Sequence, residues 1–351
     1  MSTATNKMAI KSGATTGMAE SYNSNSSPQR AIIKSAEPII KRAIEMLDIT
    51  PALCPIVIAD FGASHGSNSM DVIKLITGYI QELKKTDREF LIVHNDLPTN
   101  NWKRLLDILK EKNKFRSVAH AGSFYEQCLP SNFLMIGFSS ASLHWLSKKP
   151  SNISNHCVSI FAGVDELQAF KTQARDDYQN FLKSRSSELI QGGIQIVIMN
   201  SFNDEGITGT ENVYHLLNKC AKSTLSTNEV LNYTLPVYIR SYDECVDKEL
   251  FDQYSFKLIL SKISAVDFEF YRQLKNNEIS LEEFAERQTK FIRCATDSVL
   301  KEALESTGER SKEDIDQLSN KFWDLYKEHV QQNPDDFDIK CYQTYVVLKK
   351  L

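Results

Sequence analysis

The first segment whose residues could do chemistry is Ala59-Asp60-Phe61-Gly62-Ala63-Ser64-His65-Gly66. It follows the β-branched run Ile56-Val57-Ile58 and precedes an apolar helical pattern. A strand that ends in small residues and passes into a helix lets a ligand approach the backbone and the helix N-terminus. The spacing is not the dinucleotide Gly-x-Gly-x-x-Gly, because Ala63 and Ser64 follow Gly62 and the next glycine is Gly66. An acidic residue placed just before the turn suits a ligand with an amino group rather than a pyrophosphate. Methionine-derived cofactors carry such a group. The alternative is a plain strand–helix turn.

Three further segments have the same character. Asn95-Asp96-Leu97-Pro98 closes the next strand candidate, where a carboxylate can accept both hydroxyls of a ribose. Asp96 can equally cap the helix that starts near Trp102. Gly122-Ser123-Phe124-Tyr125 offers a hydroxyl and an aromatic face to a purine ring, or a turn with core aromatics. Ser139-Ser140-Ala141-Ser142-Leu143-His144-Trp145 gathers hydroxyls, an imidazole and an indole behind a fourth strand. The Trp145 indole N–H can donate one hydrogen bond. His144 is either a general base or a polar residue lining a pocket. The remaining histidines have no metal-ligand spacing, and no nucleophile elbow, zinc helix or P-loop motif is present.

The elements that must carry these segments follow from periodicity. Ile32 to Leu47 recur at helical spacing, as one helix closed by Pro51. Strands are expected at 56–59, 90–93, 117–119 and 133–138, with helices from Val72 to Leu83 and from Trp102 to Leu109 between them. A long helix from Asp165 to Leu189 is expected to end at Gly192-Gly193, before the strand Ile194–Met199. Helical patterns then dominate at 212–220, 281–304 and 312–330, with 238–246 irregular and strands at 257–260 and 342–348. This order predicts an α/β fold: a doubly wound, mostly parallel Rossmann-like sheet with a largely helical cap. The expected organisation is an N-terminal tail and lid over 1–30 and an α/β core over 31–204. A helical cap over 205–335 contributes a core strand near 257–265, and a final core strand occupies 336–351.

Composition bounds the function. The chain has 351 residues, a formal net charge of −4, and 42% hydrophobic and 25% charged residues, ordinary values for a globular protein. The near-neutral balance argues against a nucleic-acid partner. Cys54, Cys128, Cys157, Cys220, Cys245, Cys294 and Cys341 are odd in number and unpaired in spacing, which points to a reducing, cytoplasmic setting. No apolar run reaches the ~18 residues of a membrane span, and no signal peptide is readable. Residues 1–10 are expected to be a disordered tail.

Taken together, the segments resemble the SABATH family of carboxyl and N-methyltransferases, which includes salicylate, jasmonate and caffeine-pathway enzymes. The resemblance begins at Ser21-Tyr22-Asn23-Ser24-Asn25-Ser26-Ser27-Pro28-Gln29-Arg30. It continues through Ile58-Ala59-Asp60-Phe61-Gly62, Asn95-Asp96-Leu97-Pro98, Gly122 to Tyr125 with Pro130, and Ser142 to Ser147. It implies S-adenosylmethionine as cofactor and S-adenosylhomocysteine as product. Tyr22, Asn25, Asp60, Gly62, Ala63, Asn68, Asp96, Leu97, Ser123 and Phe124 fall where the family holds that cofactor, with Ser139 and Ser140 close behind. Gln29 and Trp145 fall where carboxyl-methylating members grip the acceptor carboxylate, and His144 lines the same pocket. The Ser/Asn-rich segment near 18–30 thus becomes a lid rather than a tail.

Departures are Ala63 and Ser67, where the family has Cys and Pro, and Ala141, which leaves space for a bulkier acid. Asn155 matches one residue of a magnesium site credited to some members, but Leu231, Tyr233 and Thr234 are poor ligands, so no essential metal is expected. The implied partner is a small-molecule carboxylic acid, and the implied assembly is a homodimer. The implied reaction is carboxyl methylation. The alternatives are N-methylation of a small heteroaromatic or a catalytically silent cofactor-binding protein. A nicotinamide dehydrogenase is disfavoured by Ala63 and the missing glycine.

Overall fold

The structure, a computed structural model, describes residues 14–15, 17–19, 21–49, 55–84, 86–112 and 115–351. The expected tail at 1–10, the stop at Pro51 and the thiol of Cys54 lie outside the described residues. In chain order the elements begin with α1 (Tyr22–Asn25), α2 (Ser27–Ser35), α3 (Glu37–Glu45), β1 (Ile56–Phe61), α4 (Ser67–Lys84), β2 (Phe90–Asp96), α5 (Trp102–Lys112), β3 (Arg116–Ala121) and β4 (Leu134–Ser140). They continue with α6 (Val164–Glu188), β5 (Leu189–Asn200), α7 (Glu211–Thr224), α8 (Thr227–Asn232), α9 (Tyr242–Cys245), α10 (Lys248–Gln253) and β6 (Phe256–Asp267). The chain ends with α11 (Glu269–Lys275), α12 (Leu281–Glu305), α13 (Lys312–Gln332) and β7 (Lys340–Lys350).

The seven strands form one sheet in the order β3-β2-β1-β4-β5-β7-β6. β3, β2, β1, β4 and β5 pair in parallel, and β7 runs antiparallel between β5 and β6. The expected mostly parallel, doubly wound sheet is the one observed.

β1 is buried on both faces because alternate residues serve opposite layers. Ile56 and Ile58 pack with α2, α3 and α4. Val57, Ala59 and Phe61 pack with Tyr178, Phe181 and Leu182 of α6 and with Leu250 and Phe251 of α10. A separate apolar cluster joins Phe284, Leu300, Phe322, Trp323 and Tyr326 of α12 and α13 to Leu217 of α7.

Two expectations are corrected here. The single helix expected at 32–47 is two, because Pro38 has no backbone N–H to continue a helix and sits instead in the first turn of α3. The long helix does not end at Gly192-Gly193. α6 stops at Glu188 and runs directly into β5, and both glycines lie inside that strand. Gly192 has a φ of 80° there, and the β4–β5 register shifts beside it, between Leu134 and Ile136. A glycine in a strand commonly marks such an irregularity. The stretch 238–246 also contains the short α9, which Ser241 caps by accepting from the Glu244 N–H.

Candidate active site

The carboxyl ends of β1, β2 and β4 lie side by side, and their turns enclose a cavity. Gly62 stands at its floor with a φ of 97°. A Cβ at Gly62 would lie 2.2 Å from Ser142 Oγ, so the turn after β1 has room only for glycine. Ser64 and Ala141 also adopt positive φ, 49° and 51°, and both line the cavity. Left-handed backbone costs a non-glycine residue roughly 1–2 kcal/mol, and such strain concentrates where a ligand is held.

Asp96 ends β2 and lines the same cavity. Its Oδ2 accepts from the Ser64 N–H at 2.7 Å and its Oδ1 from the Leu97 N–H at 2.8 Å. Each carboxylate oxygen keeps a lone pair for a ligand hydroxyl. Burial pushes the Asp96 carboxyl up to about 6, against the opposing pull of the Ser64 and Leu97 N–H groups. Asp60 is buried behind it. Burial raises its carboxyl to about 7, a hydrogen bond with Ser69 opposes the rise, and the Asp96 charge adds to it. Leu97, Ser123, Phe124 and Ser140 also line the cavity. Buried Ser64 Oγ and Ser140 Oγ have no hydrogen-bond partner, which is the condition of groups poised for a ligand. Hydroxyls, an aromatic face and the Asp96 carboxylate, with Asp60 buried nearby, fit a nucleoside bearing a positively charged amino acid.

A second cavity adjoins the first. Met18, Tyr22, Ala141 and Trp145 line both. The second is also lined by Pro28, Gln29, Ile32 and His144, and it extends to Asn200, Val213 and Phe291. None of its described lining residues is Asp, Glu, Lys or Arg. Gln29 Oε1 and His144 Nδ1 are buried without partners. Burial, reinforced by the Arg240 charge, lowers the His144 imidazole to about 3, so it is neutral and a very weak base at neutral pH.

The N-terminal segment closes over both cavities. Asn23 Nδ2 donates to His65 O at 3.1 Å, and Asn23 Oδ1 accepts from the Ser67 N–H at 3.4 Å. Asn68 Nδ2 donates to Ser26 O at 3.3 Å, and the Ala19 N–H donates to Cys294 O at 2.9 Å. The Tyr22 hydroxyl is held well above its usual range, first by burial and then by Cys294, Asp96 and Asp60.

Among the residues expected from sequence, Tyr22, Gly62, Asp96, Leu97, Ser123, Phe124 and Ser140 line the first cavity, and Gln29, His144 and Trp145 line the second. Asn25, Asp60, Ala63, Asn68 and Ser139 line neither. Asn25 Nδ2 turns back to Ser21 O at 2.8 Å. Ala63 packs into a cluster with Met70, Leu105 and Ile108, so small-for-small exchange at 63 is a matter of core packing. Ser139 Oγ donates to Phe61 O at 2.9 Å and ties β4 to β1.

Sequence reasoning missed Asn23 and the framework residues behind the indole. The Tyr125 hydroxyl donates to Trp145 O at 2.7 Å, and Arg240 Nη1 donates to Leu143 O at 2.6 Å. No local pattern marks Arg240, and Tyr125 reads from sequence only as an aromatic of the segment from Gly122, because their partners are distant backbone carbonyls. Among the described residues, no cluster of three His, Cys, Asp or Glu can hold a metal ion, and no helix is long and apolar enough to cross a membrane.

A loganic acid methyltransferase crystallised with S-adenosylhomocysteine superposes with a TM-score of 0.79 at 23% identity, over 96% of this chain and 98% of that one. That likeness establishes the fold. A probable S-adenosylmethionine-dependent methyltransferase of Arabidopsis thaliana is 26% identical over 94% of this chain and 95% of its own length. A benzoic acid/salicylic acid carboxyl methyltransferase of Petunia hybrida is 30% identical over 65% of this chain and 72% of its own length. The sequence profile described as SAM dependent carboxyl methyltransferase matches residues 6–351. That match covers the lid, the turn after β1, Asp96 and the indole loop as one continuous unit, and the chain therefore belongs to the SABATH family of S-adenosylmethionine-dependent carboxyl methyltransferases.

Proposed function

We propose that this chain methylates the carboxylate of a small, largely apolar organic acid that carries no second charge, giving a methyl ester and S-adenosylhomocysteine. The observation that carries the reading is the second cavity: it adjoins the first at Tyr22, Ala141 and Trp145 and is lined by no ionisable Asp, Glu, Lys or Arg among the described residues. The acids named for the relatives, benzoic, salicylic and loganic, each carry one carboxyl group, which supports the single charge.

S-Adenosylmethionine supplies an activated methyl group on a positively charged sulfur, so the hard chemistry belongs to the cofactor. Asp96 would hold the ribose hydroxyls, with Ser123 and Phe124 beside the purine and Asp60 near the amino-acid end. The acceptor, with an ordinary carboxyl pKa of roughly 4–5, is already ionised at neutral pH and needs no general base. Gln29 and Trp145 would each donate one hydrogen bond to it. Neutral donors orient a carboxylate without quenching it, as a bidentate arginine would. Orientation of this kind can supply up to ~7–11 kcal/mol of barrier reduction. Lid closure from Met18 to Gln29 would exclude water and strengthen those contacts.

The weak basicity of His144 favours this reading over N-methylation of a ring that must first lose a proton. The test is a panel of carboxylic acids and heteroaromatics with radiolabelled methyl donor. Base-labile label on an uncharged-tail monocarboxylate is the expected result. Base-stable label on a heteroaromatic, or cofactor binding with no turnover of any acid, would overturn it.

The raised carboxyl pKa values at Asp60 and Asp96 set a pH dependence. Their folded values lie above the unfolded one, so the fold binds protons that the unfolded chain releases. These groups therefore reduce stability as pH rises from about 4 to about 7. A cationic cofactor needs them ionised. S-Adenosylmethionine affinity, followed by calorimetric titration, is expected to be flat above about pH 7.5, to weaken by up to about tenfold per unit between about pH 7 and 6, and to weaken more steeply below pH 6, where both carboxylates take up protons. Constant affinity from pH 5.5 to 8 would remove both carboxylates from the cofactor site.

A further inference from the structure

We propose that the buried pair Arg185–Glu188 is the positioning element for the purine side of the cofactor site. The proposal rests on reading the first cavity as that site.

In a doubly wound sheet, the turn after each strand is normally pinned by the helix that follows it. Here β3 is followed by no helix: residues 122–133 run to β4 as an irregular segment. Ser123 and Phe124, which line the cavity, stand on that segment. Its backbone groups need partners from elsewhere.

Arg185 and Glu188 supply them from the last turn of α6. Both side chains are fully buried. They face each other twice, Nε to Oε2 and Nη2 to Oε1, each at 2.8 Å. Arg185 Nη1 also donates to Phe124 O at 2.8 Å and Nη2 to Glu126 O at 2.9 Å. Glu188 Oε1 accepts from the N–H groups of Cys128 and Leu129. The guanidinium lies 3.8 Å above the Phe61 ring, at the end of β1, next to Gly62. One charge pair thus clamps the segment that carries Ser123 and Phe124 against the strand end that carries Gly62.

Neither residue lines the cavity, so both act through the segment they hold. A buried ion pair is weak evidence for stability, since a well-packed apolar pair often replaces it without loss. What an apolar pair cannot reproduce is the set of four backbone hydrogen bonds. That distinction separates a positioning role from a merely structural one.

The test is the double variant Arg185→Met/Glu188→Leu, which leaves no orphaned buried charge. Calorimetric titration with S-adenosylhomocysteine is expected to give a dissociation constant at least tenfold higher than wild type. With an acid that turns over, KM for S-adenosylmethionine should rise by a similar factor. KM for the acid and kcat should stay within about threefold. A folded double variant with unchanged S-adenosylhomocysteine affinity, or an equal rise in both KM values, overturns the proposal. Should the double variant fail to fold, Arg185→Lys gives the same readout, because a lysine cannot bridge Glu188 and two carbonyls at once. It is expected to raise KM for S-adenosylmethionine several-fold alone, and an unchanged value overturns the proposal. Failure of wild-type protein to bind S-adenosylhomocysteine would instead defeat the cofactor-site reading itself.

Discussion

Replacing Asp96 with alanine is expected to raise the dissociation constant for S-adenosylhomocysteine by roughly a hundredfold or more. Two losses combine. The Ser64 and Leu97 N–H groups lose the carboxylate that accepts from both, at 2.7 and 2.8 Å. Ser64 has a φ of 49°, so its strained turn loses the contact that holds it. The ribose hydroxyls would lose the acceptor proposed for them as well. Hydrogen bonds to charged groups contribute about 1.5–3 kcal/mol each, and ~2.7 kcal/mol is a hundredfold in affinity. Calorimetry against a melting-temperature control separates lost binding from lost folding. A folded variant with normal affinity would rule out Asp96 as the ribose ligand. Asp96→Asn, which keeps one carbonyl acceptor, should fall between the two.

Gln29→Ala should give the opposite division of effects. Gln29 lines only the acceptor cavity, so S-adenosylhomocysteine affinity is expected to stay within about twofold. The kcat/KM for the acid should drop roughly 10- to 100-fold, the range for a lost hydrogen bond to a charged group. Because Gln29 sits two residues from the start of α2, alanine is compatible with the helix it would join. Equal losses in cofactor affinity and turnover would mean that Gln29 shapes the lid rather than holding the acceptor. A Trp145→Phe variant, which keeps the ring and removes the N–H, should resemble Gln29→Ala. Its ring also lines the cofactor cavity, which makes it the less selective probe.

The contrast between Asp96 and Ser139 explains why some of the site was legible and some was not. Asp96 is announced by its place: a carboxylate at a strand end, before a turn, in a fold that binds ligands there. Ser139 stands one residue before the equivalent place on β4, and its hydroxyl is taken by the Phe61 carbonyl of the neighbouring strand. A strand buried on both faces sends alternate side chains to different surroundings, and a string of serines does not reveal which one reaches the ligand. Asn25 and Asn23 make the same point in the lid. Asn25 is the one the resemblance singles out, but it closes on Ser21 while its neighbour Asn23 reaches His65 and Ser67. Ala63 is a cofactor position only by the family resemblance. The left-handed turn at Gly62 instead sends it into the cluster beneath α5.

The sequence by itself determined the alternation of strands and helices, the turn at Asp60-Phe61-Gly62 and the carboxylate at Asp96. These depend on local periodicity and on residue types that allow few backbone conformations. Only the tertiary structure decided that Gln29 and Trp145 line one cavity, that Tyr125 and Arg240 hold the indole loop from behind, and that Arg185 and Glu188 stand in for a missing helix. The last two join groups far apart in the chain through backbone carbonyls or N–H groups. Every residue offers such groups alike, so nothing in the residue names marks the partners until packing brings them within reach.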